Sequence, residues 1–364
     1  MIKQVKRFTL NLIAGANVAT VFLMLATGYA DRLYPPDHPL LSVLGLTFPI
    51  FLFLNLLFVL FWVLFKWRRL WIPIVGYLLA YPPIATYLPL NPRQEIPEGS
   101  IKVVTYNVCS YGGNFKYEDA FERIVDYLGQ QQADIVCLQE DVDTWRRYAF
   151  LRFEKYFPYN DTTVICNTVE SLNALGIHSR YPILRKERIE YPSSANGSVA
   201  YFLLRGADTL LVINNHLESS HLTTEDRIRY KDLLRGDMDS DTARAESMLL
   251  IDKLGEAAVL RANGVDNIIR YIEDHSQYPT IVCGDFNDTP ISYTRHALTQ
   301  HLTDCFKQSG RGVGLSYNQK GFWVRIDHVL CSSDFTPYNC YVDSKNDLSD
   351  HYPIICWLKM QDNY

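Results

Sequence analysis

Uncharged apolar runs near the N-terminus constrain this chain more than any other feature. Residues 8–30 carry no charged side chain over 23 positions, and residues 40–65 form a longer, more apolar run. A helix needs about 20 apolar residues to cross a bilayer, so both runs are long enough to span. A third run, residues 70–90, contains Pro73, Pro82, Pro83 and Pro89. Those prolines kink a helix or confine its end to the membrane interface. Trp67, Trp71, Tyr77, Tyr81 and Tyr87 suit the boundary between lipid and water. A cleaved leader accounts poorly for the first run, which is too long for one and is followed at once by a second span. The chain therefore reads as an integral, multi-pass membrane protein. Two or three helices cover residues 1–90, at about 8–30, 40–65 and 70–90.

Charge orients this region. Lys3, Lys6 and Arg7 precede the first span, and Lys66, Arg68 and Arg69 lie between the second and third. The loop between the first two holds Arg32 against Asp31 and Asp37. Positive residues stay in the cytoplasm, so three crossings place everything after residue 91 on the extracytoplasmic side. If residues 70–90 only dip into the membrane, that part is cytoplasmic instead. Asn11, Asn17 and Asn55 read as hydrogen-bonding groups between helices. With no ionisable residue inside a span, a pump or channel is a poor fit. Residues 91–100, polar with two prolines, read as a short stiff linker.

Residues 101–364 differ in composition. Residues 1–99 hold eight Lys/Arg against four acids, net +4; the remaining 27 bases and 36 acids give −9. An acidic domain argues against tight binding to nucleic acid through the backbone alone. All eight cysteines fall after residue 100, without CxxC spacing, so no zinc site is indicated. Cys331 and Cys340 flank a hairpin-like stretch and could pair in an oxidising compartment, given the right geometry.

The order of elements is that of an α/β unit followed by a run of strands. Residues 101–108 are a β-branched strand ending at Asn107, and a turn follows at Gly112-Gly113. Residues 117–131 have helical spacing, with Ala120, Phe121, Ile124, Val125 and Leu128 on one face. Residues 133–140 form a buried strand ending in Glu140. Residues 162–217 break into short antiparallel strands, the last ending in Asn214-Asn215-His216. Residues 222–275 read as one or two amphipathic helices. The next strand ends in Gly284-Asp285-Phe286-Asn287, where Asp285 and Asn287 point to one side. An acid and an amide so placed can hold a water and a phosphate oxygen together. Asp327 lies inside an apolar strand and needs a partner when buried; a histidine is the natural one.

Six stretches occur in one order: Tyr106-Asn107, Leu138-Gln139-Glu140, Asn214-Asn215-His216-Leu217, Gly284-Asp285-Phe286-Asn287, Arg325-Ile326-Asp327-His328 and Ser349-Asp350-His351. Together they resemble the endonuclease/exonuclease/phosphatase superfamily. That group includes deoxyribonuclease I, exonuclease III, neutral sphingomyelinases and inositol polyphosphate 5-phosphatases. The resemblance covers residues 101–359 and does not extend to residues 1–99.

The resemblance implies an α+β fold for residues 101–364: a four-layer α/β/β/α sandwich of two mixed, mainly antiparallel sheets, with the motifs at one rim. It implies a metal-dependent hydrolase that cleaves phosphate esters by water attack on phosphorus, of phosphodiesterase or nuclease type. Mg²⁺ is the expected cofactor, with Mn²⁺ an alternative, held by Glu140 with help from Asn107 and a second contact from Asp350. Asp285 would activate the water, and Asn287 would hold it or a phosphate oxygen. His351, oriented by Asp327, and His216, with Asn214 behind it, would meet the phosphoryl group. The expected partners are the lipid bilayer and a phosphate ester, either nucleic acid or a phospholipid or inositol phosphate; no protein partner is expected. Two other readings fit the same motifs: a lipid-directed phosphodiesterase or phosphoinositide phosphatase, and a catalytically silent membrane scaffold. His328 points away from Asp327 and reads as a core or surface residue, Glu218 reads as solvated, and His178 and His221 belong to no motif. Residues 222–266 exceed what a minimal member needs and begin beside a catalytic loop.

The charge pattern generates a first prediction. An alkaline phosphatase reporter fused after Leu90 is active only if that end is exported. Activity of a cytoplasm-dependent reporter at the same point would reverse the orientation.

Overall fold

The computed structural model describes residues 2–361 apart from 113–116, 143–150, 169–171, 221, 320 and 322–323. The turn at Gly113 and His221 therefore lie outside the described residues.

Three apolar helical units come first. Helices α1 (Ile2–Gly28) and α3 (Phe48–Phe65) are each long and apolar enough to cross a membrane, joined by a loop carrying the short α2 (Pro39–Ser42). The third run is two helices, α4 (Trp71–Leu79) and α5 (Tyr81–Tyr87), bent by 64°. Pro82 and Pro83 sit in the first turn of α5, where a missing N–H costs least. Asn17 donates Nδ2–H to Asn55 Oδ1 at 3.1 Å, and Trp62 Nε1–H donates to Asn17 Oδ1 at 2.9 Å. These bonds join α1 to α3. Phe22, Leu57, Leu64 and Leu78 point outward, more than 40% exposed, as an apolar solvent permits.

The rest is two six-stranded sheets among the described residues. One has the order β11 (Phe335–Val342), β12 (Ile354–Met360), β1 (Ile101–Asn107), β2 (Ile135–Gln139), β4 (Leu172–Ser179), β3 (Tyr159–Asn167). The other runs β5 (Ile183–Ile189), β6 (Gly197–Arg205), β7 (Asp208–His216), β8 (Thr280–Asp285), β10 (Asp327–Cys331), β9 (Thr303–Asp304). Among the described strands, only β1–β2 and β7–β8 pair in parallel. Alternation along the strands builds the layers. Val103, Ile135 and Leu175 meet Val199, Val212 and Ile281 between the sheets. Val104 and Val136 face outward onto helix α6 (Ala120–Gln131). Ala200, Phe202 and Val282 face the long helix α8 (Ser240–Asp274). The α/β/β/α sandwich expected from the motifs is the observed fold.

Residues 222–275 are two helices, α7 (Thr224–Arg235) and α8, clamped by Asp226–Lys253 at 2.6 Å and Arg229–Glu246 at 2.5 Å. Cys331 and Cys340 do not pair. The three residues 332–334 carry the chain from one sheet to the other rather than around a hairpin, and the Cys331 thiol lies 3.6 Å from that of Cys305. Residues 91–100 are pinned rather than free: Asn91 Nδ2 donates to the Lys307 and Gly310 carbonyls, and Gln94 N–H to Asn339.

The apolar helices dock directly on the sandwich. Tyr34 donates to Asp266 at 2.9 Å, and a Cβ on Gly45 would lie 2.0 Å from the Ile291 carbonyl. Arg325, 1% exposed, donates to the Thr86 carbonyl at 2.9 Å and lies 4.0 Å over the Phe306 ring. Beside it Arg295, on helix α9 (Tyr293–Leu298), pairs with Asp304 at 2.7 Å, both buried. Burial alone would push the Asp304 carboxyl up, but Arg295 and then Arg325 outweigh it and hold it down to about 2.

The second prediction follows from that pair. The Asp304 value lies below the ordinary carboxylate range, so its contribution to stability is full above about pH 4 and fades as pH falls toward 2. Asp304→Asn leaves Arg295 charged and buried without its partner, costing about 3–5 kcal/mol in urea unfolding of the full chain in detergent. A loss below 1 kcal/mol at pH 7 would mean that the pair does not hold this junction.

Candidate active site

The two parallel pairs, β1–β2 and β7–β8, lie at the centres of facing sheets, and their carboxyl ends meet at one rim. Asn107 ends β1, Glu140 follows β2, His216 ends β7 and Asp285 ends β8. Strand β10 runs antiparallel to β8 and begins at that rim with Asp327. The segment before β12 adds Ser349, Asp350 and His351. Sequence separations of up to 244 residues thus converge because four strand ends and one strand start share an edge.

Asn107 is the hub. Its Nδ2 donates to Glu140 Oε1 at 3.1 Å and to Asp285 Oδ2 at 3.0 Å, while its Oδ1 accepts from Cys109 N–H at 3.0 Å. Ser349 Oγ donates to its carbonyl at 2.7 Å. His351 Nδ1–H donates to Asp327 Oδ2 at 2.8 Å, and its Nε2 lies 3.6 Å from Asp285 Oδ2. His216 Nε2 lies 3.8 Å from the same oxygen and 4.0 Å from Glu140 Oε1. Asn173 donates to His216 Nδ1 at 3.0 Å, so the neutral ring keeps its proton on Nε2, toward the carboxylates.

Electrostatics split the two imidazoles. Burial works against charge on His351, but Asp327 and Asp285 outweigh it and hold the ring well above the usual histidine range. Burial wins at His216 and lowers it despite Asp285. Burial and then the charge of Asp327 raise Asp285, opposed by His351. One ring is therefore a cation and the other a neutral donor, facing a carboxylate whose basicity is raised.

Glu140 adopts φ +53° and is raised first by burial and then by the charge of Asp350. Uncompensated negative charge on oxygen ligands suits a hard divalent cation. Asp285, Asp327 and His351 also bring ligand atoms within 4.8 Å of one another. In that trio, however, the ring already donates to Asp327 and repels a cation when charged. Glu140 and Asp350, whose charges raise one another's cost, are carboxylates at this rim that no histidine already holds in a hydrogen bond.

Of two further expected residues, one lies beneath the site and the other beside Asp285 within it. Asn214 is fully buried and spent: it accepts from Gln139 at 2.6 Å and donates to the Leu138 and Gly176 carbonyls, both at 2.9 Å. It locks the two sheets together beneath His216 and offers nothing to a substrate. Asn287, at φ +50°, donates its main-chain N–H to Asp285 Oδ1 at 2.8 Å and Nδ2–H to the Leu217 carbonyl at 2.9 Å; it fixes the carboxylate. Glu218 is buried, not solvated, and accepts from Ser193 and Ser194. His328 is core, 5.0 Å from the Phe286 ring. Sequence reasoning missed Asn173, which lies in no motif, and Tyr317, whose ring packs edge-on 5.0 Å from His351.

The sequence model of the Endonuclease/Exonuclease/phosphatase family matches residues 104–351. A second, described as a domain of unknown function (DUF8431), matches residues 10–87. No curated protein matches in sequence. Among solved structures, a humanized D. rerio TDP2 is 16% identical over 72% of this chain and 99% of that one, with TM-score 0.51. The human Nocturnin catalytic domain with bound sulfate is 15% identical over 73% and 97%, with TM-score 0.50. A functionally unknown conserved protein from Enterococcus faecalis V583 is 16% identical over 72% and 100%, with TM-score 0.51. At these identities the structures speak for the fold alone.

The third prediction concerns the pair at the rim. General acid–base groups contribute about 100- to 10,000-fold, so Asp285→Asn and His351→Ala each lose at least about 100-fold in turnover of a phosphate diester. Asp327→Asn loses less. The double variant Asp327→Asn/His351→Ala is little worse than His351→Ala, because residues acting as a unit are not additive. Losses that multiply would give Asp327 an independent role.

Proposed function

Since the chain belongs to the endonuclease/exonuclease/phosphatase family, we propose that it is a membrane-anchored, Mg²⁺-dependent phosphodiesterase. The observation that carries this reading is the convergence on Asp285 Oδ2 of Asn107, His351 and His216, with Glu140 at the edge. Water attacks phosphorus, Asp285 takes its proton, and the bond to the leaving oxygen breaks. The His351 imidazolium, held by Asp327, faces the phosphoryl oxygens as they gain charge. Neutral His216 offers Nε2–H to the same group. Positioning and neutralisation of charge are what phosphoryl transfer mainly requires. A bound Mg²⁺ on Glu140, Asp350 and Asn107 would supply Lewis acidity toward a phosphate oxygen.

Residues 1–90 form the anchor in this reading, with the basic start of α1 and the bases between α3 and α4 in the cytoplasm and residues 101–364 outside. The net charge of −9 after residue 99 favours a phospholipid or inositol phosphate over nucleic acid as the ester.

The test uses the full chain in detergent with Mg²⁺ on single- and double-stranded DNA, RNA, sphingomyelin and inositol phosphates. Hydrolysis of at least one class is expected, abolished by chelation and restored by Mg²⁺. Glu140→Gln keeps the shape, raises the Mg²⁺ needed for half-maximal activity and lowers turnover. An unchanged titration would remove Glu140 from the ligands, and silence on every ester would favour a scaffold.

A further inference from the structure

A cleft of about 310 Å³ lies where the apolar helices meet the sandwich. Gly28, Pro82 and Pro83 form its membrane-side wall, and α9 with the chain up to Gln308 forms the other. Helix α1 has 27 residues, about 40 Å at 1.5 Å per residue. Its end at Gly28 therefore stands at the edge of a hydrocarbon core about 30 Å thick. The cleft is remote from the rim chemistry: Asp304 pairs with Leu330, toward the opposite end of β10 from Asp327.

Its charges are incompletely matched. Arg295 and Asp304 satisfy each other. Arg32 stacks 4.6 Å over the Tyr29 ring, and Lys307 lines the cleft near the charges of Asp304, Asp31 and Arg295. Asp31 is buried, with Oδ2 3.4 Å from His296 Nδ1, while its Oδ1 has no hydrogen-bond partner among the described residues. An orphaned buried carboxylate oxygen costs on the order of 1–3 kcal/mol. Two cations on the cleft wall and one buried acid oxygen lacking a donor, at headgroup depth, ask for an anion joined to an N–H cation.

We infer that this cleft binds the headgroup of phosphatidylethanolamine, its phosphate between Arg32 and Lys307 and its primary ammonium on Asp31. The inference rests on the membrane reading of residues 1–90. A choline headgroup has no N–H for Asp31, and a glycerol headgroup brings no cation. The acid supplies the selection among headgroups. The bound lipid bridges α1 and α5 to α9, so it stabilises the junction without taking part in the reaction.

The test is thermal unfolding of delipidated full-length protein in dodecyl maltoside. Dioleoyl phosphatidylethanolamine, -choline and -glycerol are added at equal mole fraction, with soluble O-phosphoethanolamine as a fourth arm. The ethanolamine lipid is expected to raise Tm by about 3 °C, more than the other lipids or the soluble headgroup. Lys307→Gln, at an exposed position, abolishes the shift; Asp31→Asn makes the three lipids equivalent. Equal shifts from glycerol and ethanolamine lipids would overturn the ammonium contact. A Lys307→Gln protein that responds like the parent would overturn the location. An equal shift from O-phosphoethanolamine would make this a soluble-ligand site. Recovery of the chain from the aqueous phase without detergent would sink the membrane reading and this site with it, whereas a membrane-bound chain without lipid preference sinks the site alone.

Discussion

Asp285 and Asp327 are direct cross-strand partners in the β8–β10 register, each about 1% exposed. Two carboxylates opposite each other repel, and burial raises the cost of both charges. His351 resolves the conflict by standing between them, Nδ1 on Asp327 at 2.8 Å and Nε2 3.6 Å from Asp285. The surrounding structure keeps that arrangement in place. Ser316 Oγ accepts the Ile326 and Asp327 N–H groups at 3.0 and 3.1 Å, anchoring the start of β10. Gly284, at φ +133°, lets β8 approach the Asn215 carbonyl, where a Cβ would lie 2.0 Å away. No other residue tolerates both the dihedral and the contact. The Gly-Asp-Phe-Asn stretch therefore begins with glycine for packing and carries its acid for chemistry.

The same logic explains what could be read from the sequence. Polar residues at the ends of apolar runs stood out because burial makes them expensive, and Asn107, Glu140, His216, Asp285 and Asp327 all meet at the rim. Strands β1, β2, β7 and β8 were legible for the same reason, being buried on both faces. Strand β5, Ile-Leu-Arg-Lys-Glu-Arg-Ile, was not, because an edge strand with one solvated face takes charged residues. Asn214 was read as lying behind His216, but adjacency alone could not show that from there it ties two sheets. Its partners, Gln139 and the Leu138 and Gly176 carbonyls, come from the other sheet. Asn173 acts on His216 from 43 residues away, and only strand pairing brings them together.

The apolar helices extend the constraint beyond the sandwich. Arg325 lies two residues before Asp327, yet its guanidinium reaches the Thr86 carbonyl in α5. A buried guanidinium stripped of such a partner is strongly destabilising. Helix α5 is thus a wall of the sandwich as much as a continuation of the anchor, and the start of β10 is held from both sides: Ser316 at the rim and Thr86 at the junction.

Contact also bears on how the chain threads a membrane. The loop between α1 and α3 touches the sandwich through Asp31, Tyr34, Pro39 and Gly45. A loop and a domain in contact lie on the same side of any bilayer the helices cross. If α3 spans, it carries the chain away from that side, and the chain must return before β1. Only the bent α4–α5 pair lies between. The bent unit is long and apolar enough for a span only when α4 and α5 are taken together, turned by 64°, and α5 meets Arg325 at the junction. The bases fit the same threading, since Arg69 at the far end of this unit donates to the Leu10 carbonyl and Asn11 near the start of α1. Helices α1 and α3 are each long and apolar enough to span, the bent pair adds a third only if its halves form one span, and the Arg325–Thr86 bond ties that pair to the sandwich.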